Sequence, residues 1–198
     1  MEYEILEESG LGYVRIWSLA DDLNLTIRLF KRAVELFAER KSPGMILDMR
    51  HNLGGSPMGT GLAAYFTSEE LAVMRGYYYS ERLERFDTHG PPDTIEPDEE
   101  LQYRGHIAVL ISPACASACE NVAWVFSQLP QVTVLGHYPS NGIMGEVGRG
   151  QYDLPGEMSF QIPTGMDHDM KGNIIVEGVG VQPDVLVPLT EEAIFGEG

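Results

Sequence analysis

The sequence predicts an α/β domain, a parallel-type sheet with helices on its faces. Three observations lead there. Apolar runs of strand length at 45–49, 107–112 and 132–135 are separated by helical patterns. Each run opens into a loop of glycine or other small residues, at 52–56, 113–117 and 136–142. The chain has 198 residues and a hydrophobic fraction of 43%, enough for one well-formed core.

The elements follow in order. Tyr3 to Leu6 and Gly12 to Ile16 read as two short strands, the second alternating apolar and polar residues. Asp21 and Asp22 can cap a helix that continues to about Arg40, with Ile27, Phe30, Val34 and Phe37 at helical spacing as its core face. Ser42-Pro43-Gly44 ends it. Met45 to Met49 is a buried strand, and Asn52 to Pro57 a glycine-rich loop. A second helix is expected over Gly59 to Phe66, and a strand pair over Leu71 to Arg85. Thr88 to Glu100, rich in proline and acids, reads as an exposed loop too short to divide two domains. Strand 107–112, helix 117–128 and strand 132–135 come next. Gly145 to Val187 reads as several short strands between Gly and Pro turns.

The formal net charge is −17, which repels nucleic acid and anionic membranes and excludes them as expected partners. No apolar run reaches the roughly eighteen residues of a membrane span. The acidic start, Met1 to Glu8, lacks a signal-peptide core. Self-association into a homo-oligomer is compatible with the sequence.

The chemistry concentrates at Ile107 to Glu120. A hydrophobic strand runs into a turn of tiny residues, and a helix opens with Ser117 on its first turn. A hydroxyl there sits beside free backbone N–H groups at the positive end of a helix dipole. Acyl-transfer enzymes use such a place for a serine nucleophile, because attack creates an oxyanion that needs donors. In open α/β sheets sites form at the carboxyl ends of strands, so the three small-residue loops can converge on one cleft. Gly54 and Gly55 are candidate oxyanion donors, since a Gly-Gly pair lets backbone approach a ligand; the alternative is a plain tight turn. The N–H of Ala118 is the second donor. Asp48 and Arg50 read as a structural ion pair that orients the loop, and Glu120 as a partner of the helix dipole. Cys115 and Cys119 bracket Ser117; they read first as two small core residues, with a local disulfide or redox control of the serine as alternatives.

Together these residues resemble the C-terminal processing (tail-specific) protease family of serine peptidases. Asp48-Met-Arg-His-Asn-Leu-Gly-Gly55 is similar to its Asp-Leu-Arg-x-Asn-x-Gly-Gly motif, and Cys115-Ala-Ser-Ala-Cys-Glu120 to its Ser-Ala-Ser-Ala-Ser-Glu motif. Gly12 to Ile16 and Glu177 to Asp184 resemble its opening strand and closing Gly-Val-x-Pro-Asp motif. The resemblance implies a ClpP/crotonase-like core of stacked ββα units. It implies that 1–198 is one peptidase-like catalytic core of a longer parent chain, lacking the PDZ domain that family members carry before it. It also implies peptide or protein substrates, no cofactor or metal, and an extracytoplasmic (periplasmic or secreted) setting.

One departure stands out. The family's base is a lysine in a Gly-Lys-Gly loop, and Gly142 occupies that place here. Related tricorn-type peptidases take a histidine from the early strand, where this chain has Arg15, which stays protonated. The candidates to replace them are His137, which follows the strand beside the nucleophile helix, and Glu146, which falls where lysine-type enzymes carry a glutamine. A lysine put back at 142 would restore the dyad if the loop follows the family's path. His51 lies in the glycine-rich loop at a variable position, and His106 stands too far back. Asp167-His168-Asp169 suggests a metal, but three adjacent residues of a strand cannot converge on one ion. The expected function is therefore a serine peptidase with Ser117 as nucleophile, Gly54, Gly55 and Ala118 around the oxyanion, and a non-standard base. The alternative is a catalytically inactive module that binds a peptide tail or an apolar small ligand. A crotonase-type acyl-CoA enzyme is disfavoured, because the chain offers few basic residues for CoA phosphates.

Overall fold

The computed structural model describes residues 1–88, 90–144 and 150–191. Its centre is a six-stranded sheet in the order β1-β2-β3-β7-β8-β12. These strands are β1 (Glu2–Ile5), β2 (Gly12–Arg15), β3 (Gly44–Asp48), β7 (His106–Leu110), β8 (Val132–Gly136) and β12 (Val185–Leu186). Only the β1–β2 pair is antiparallel; β2, β3, β7, β8 and β12 run parallel. The remaining strands are β4 (Leu71–Ser80), β5 (Arg85–Thr88), β6 (Asp93–Ile95), β9 (Gln151–Leu154), β10 (Met158–Gln161) and β11 (Gly165–His168). β4 pairs with β11, β5 and β6, whereas β9 and β10 form a hairpin.

Helix α1 (Leu23–Glu39) is capped by Asp22, whose side chain accepts the Leu25 N–H. Its apolar stripe, Phe30, Ala33, Val34 and Phe37, is fully buried and lies against β2. Helix α2 (Ala118–Ser127) lies against β8. A 3-10 helix, Pro57–Phe66, packs on both α1 and α2. Phe66 sits at the junction, its ring 6.0 Å from Phe30 and 5.4 Å from Phe126. Burying each such aromatic contributes roughly 2 to 3 kcal/mol.

The α/β class and the parallel-type sheet are as the sequence predicts. Three details differ. The stretch expected as an α-helix from Gly59 is the 3-10 helix, since a proline at its start and two glycines inside weaken α-helical propensity. The expected loop 88–100 contains β6, which pairs with β4 across a register shift between Ala72 and Met74. Ser117 is the N-cap of α2 rather than a residue of its first turn. Parallel alignment puts the carboxyl ends of β2, β3, β7 and β8 on one edge, and the loops that carry the site motifs leave from there.

Candidate active site

The site is built from the end of β3 outward. Asp48 is fully buried. Its carboxylate accepts the Arg50 N–H, Nε and Nη2 at 3.1, 3.0 and 2.7 Å and the Tyr13 hydroxyl at 2.8 Å. Burial pushes the Asp48 pKa up, but the hydrogen bonds from Arg50 and Tyr13 outweigh it and hold the group below its ordinary value. This pair fixes the exit of the strand and leaves Asp48 no spare lone pair for chemistry.

Asn52, also fully buried, organises the next step. Its Nδ2 donates to the Ile16 carbonyl at 3.0 Å, its Oδ1 accepts the Gly54 N–H at 2.8 Å, and its carbonyl accepts the Ala116 N–H at 3.2 Å. One residue thus ties the end of β2 and the glycine loop through its side chain, and the serine loop through its backbone carbonyl. Gly54 and Gly55 have φ of 96° and 135°. A Cβ on Gly54 would stand 2.6 Å from the Ala116 carbonyl oxygen and 2.9 Å from both the Ala118 nitrogen and the Ser117 Cβ. A Cβ on Gly55 would stand 2.1 Å from the Ala20 nitrogen. Only glycine fits the gap between the serine loop and residues 19–20. The Gly54 N–H is committed to Asn52. Among the described residues, the N–H groups of Gly55 and Ala118 have no acceptor.

Ser117 is half-buried and adopts φ 55° and ψ −127°, a region that residues with a Cβ rarely occupy. The chain around it is joined by a Cys115–Cys119 disulfide, and both cysteines are fully buried. The two cysteines are buried as expected of core residues, but they are paired, so the local disulfide offered as an alternative is what forms.

Glu120 is fully buried in the first turn of α2. Its Oε1 accepts the Ser140 hydroxyl at 2.5 Å and the Gly142 N–H at 2.7 Å; its Oε2 accepts the Ile143 N–H at 3.0 Å and the Ser117 N–H at 3.2 Å. Ser140 in turn accepts the Val181 N–H at its Oγ, at 2.6 Å, and Gly142 accepts the Gly178 N–H, at 2.8 Å. The Asn141 N–H donates to the Cys115 carbonyl at 3.0 Å. The loops 52–56, 113–117 and 140–143 meet, and 178–181 closes over the last of them. Gly142 has φ 81°, and a Cβ there would lie 3.1 Å from the backbone nitrogens of Val179 and Gly180.

The histidines are elsewhere. His137 lines a groove of about 420 Å³ with Tyr138, Pro139, Gln182, Pro183 and Leu186, and Ser117 is not among its walls. His51 Nδ1 is 3.0 Å from Arg15 Nη2, and the Arg15 guanidinium stacks 3.5 Å from the centre of the Trp17 ring. His106 is exposed at the start of β7. The His168 ring packs 4.2 Å from Tyr77, and Asp169 closes a turn onto Lys171 and Asn173. Among the described residues no His, Cys, Asp and Glu side chains group as a metal site. Glu146 lies outside the described residues. Among the described residues no hydrogen bond joins the Ser117 hydroxyl to a histidine or a carboxylate. Asn52 and Ser140 are the site residues that sequence reasoning passes over; Asn52 at least stands inside the quoted glycine-loop motif.

The sequence model of peptidase family S41 matches residues 10–187. A peptidase-like protein from Parabacteroides merdae ATCC 43184 superposes with a TM-score of 0.77 at 25% identity, covering 98% of this chain and 59% of its own. Mature CPAF complexed with lactacystin gives a TM-score of 0.78 at 16% identity, covering 98% and 51%. The photosystem II D1 C-terminal processing protease gives 0.67 at 19% identity, covering 90% and 42%. The chain therefore spans between 42% and 59% of the length of these three neighbours.

Proposed function

The chain belongs to peptidase family S41, and from that membership we propose that it is a serine peptidase with Ser117 as its nucleophile. The observation that carries this reading is the pair of N–H groups, Gly55 and Ala118, that have no acceptor among the described residues, on the two loops that meet at Ser117. In the proposed reaction the Ser117 hydroxyl attacks a peptide carbonyl. The oxyanion is held by the Gly55 and Ala118 N–H groups, and Gly54 shapes the loop instead of donating. The proton passes to a base and then to the leaving amine. His137 and Glu146 remain the candidates for that base, and His137 would have to reach across from a separate groove. The substrate is a peptide or protein segment, consistent with the family.

The disulfide favours an oxidising compartment, in line with the extracytoplasmic setting that the resemblance implies. No helix among the described residues is long and apolar enough to cross a membrane.

A second reading, a non-catalytic module that binds a peptide tail or an apolar small ligand, draws on one observation. Gly142 stands where the family carries its lysine, in a backbone geometry that disfavours any side chain. Turnover of an unstructured peptide mixture, read by mass spectrometry, separates the two. The peptidase reading expects cleavage by the wild type, none by Ser117→Ala, and a loss of about a hundredfold or more in kcat for whichever of His137→Ala and Glu146→Gln removes the base. Peptide binding without cleavage by the wild type supports the second reading.

A further inference from the structure

We propose that the Cys115–Cys119 disulfide is a positioning device for Ser117, so that the site works only while the pair is oxidised. This rests on the reading of Ser117 as nucleophile. Cys115 lies two residues before the serine and Cys119 two residues after it, in the first turn of α2, with Cα atoms 5.5 Å apart. Ser117 is the midpoint of the closed loop. It is also the residue whose backbone most needs holding, at φ 55° and ψ −127°.

Within the loop the Cys119 N–H donates to the Ala116 carbonyl at 3.1 Å, and other restraints come from outside it. Asn52 accepts the Ala116 N–H and Glu120 the Ser117 N–H, each at 3.2 Å, at the long end of the normal range. The disulfide is the covalent link between the segment that enters the turn and the helix that leaves it. Ala118, the residue after Ser117, carries one of the two N–H groups without an acceptor among the described residues. A shift of the serine backbone therefore moves nucleophile and oxyanion donor together. Both sulfurs sit in residues with no solvent exposure, so a reductant reaches them only when the turn opens.

Reduction by a small dithiol proceeds in two exchanges. A reagent thiolate attacks one sulfur and releases the other as a thiolate, leaving a mixed disulfide. The second reagent thiolate then displaces the remaining cysteine, and the reagent closes to its own disulfide. Two electrons and two protons end on Cys115 and Cys119 as thiols.

The test compares three proteins: oxidised wild type, wild type reduced by dithiothreitol and alkylated with its adducts counted by mass spectrometry, and the double variant Cys115→Ala/Cys119→Ala. Two readouts are taken: the rate of labelling by a fluorophosphonate, and amide hydrogen exchange over 113–121 with 23–39 as internal control. Labelling at least about tenfold slower in the latter two proteins, with faster exchange confined to 113–121, is expected. Labelling should recover when the reduced, unalkylated protein is reoxidised. Equal labelling rates overturn the proposal, as does native protein carrying two free thiols. If the oxidised protein does not label at all, the nucleophile reading fails. The exchange arm then still decides whether the disulfide holds the turn, and equal exchange over 113–121 overturns it.

Discussion

Glu120 and Gly142 are joined by a 2.7 Å hydrogen bond from the glycine N–H to the Glu120 carboxyl. It links the first turn of α2 to the loop in which the resemblance places the family's lysine. The same carboxyl accepts from Ser117, Ser140 and Ile143. One buried side chain thus ties the Ser117 turn to the 140–143 loop.

Glu120→Ala removes the acceptor of two buried donors, Ser140 Oγ and the Gly142 N–H, and of two part-buried ones, the Ser117 and Ile143 N–H groups. Each buried donor left unpaired costs about 1 kcal/mol or more, so a destabilisation of roughly 2 kcal/mol or greater is expected. Urea unfolding of wild type and variant measures it directly; a loss under about 1 kcal/mol would show that the network carries little of the stability.

Gly142→Lys is expected to fail as a restoration of the Ser-Lys dyad. The backbone is at φ 81°, and the new Cβ would press on the Val179 and Gly180 nitrogens at 3.1 Å. The variant should lose about 1 to 2 kcal/mol of stability and gain no peptidase activity. A rise in activity toward alkaline pH would show that the loop can take up the family's path after all.

Gly54→Ala should damage the site more than the fold. Its methyl group would meet the Ala116 carbonyl at 2.6 Å and the Ser117 Cβ at 2.9 Å, pushing the serine turn away from the glycine loop. A fall of at least about tenfold in kcat/KM is expected, with far-UV circular dichroism unchanged.

Asp48 gives a pH signature. Its folded pKa is held below the ordinary value, so its contribution to stability is fully present above the unfolded pKa of about 3.9. That contribution is lost as pH falls through the lower folded value. Thermal melts of Asp48→Asn should show a weaker dependence on pH below about 4 than wild type. Parallel curves would mean that the Arg50 and Tyr13 contacts do not set the acid limb.

The α/β class and the two glycine and serine loops were legible because each depends on local pattern: alternation of apolar runs, then small residues at strand ends. What escaped depends on tertiary contacts. Glu120 in isolation is an acid at a helix start, and three of its four donors, from Ser140, Gly142 and Ile143, come from a loop more than a turn of chain away. Asn52 reads as a loop residue until Ile16 and Ala116 close around it. β6 is three residues long and proline-flanked, so only its pairing with β4 defines it. The Cys115–Cys119 link required the turn at Ser117, which spacing alone does not reveal.

The role of Ser117 is tested most directly by covalent labelling of the oxidised wild type with a fluorophosphonate between about pH 6 and 9, with Ser117→Ala as control. One adduct per chain, mapped to Ser117 and absent from the control, is expected. No adduct across that range, or one that persists in Ser117→Ala, would contradict the account.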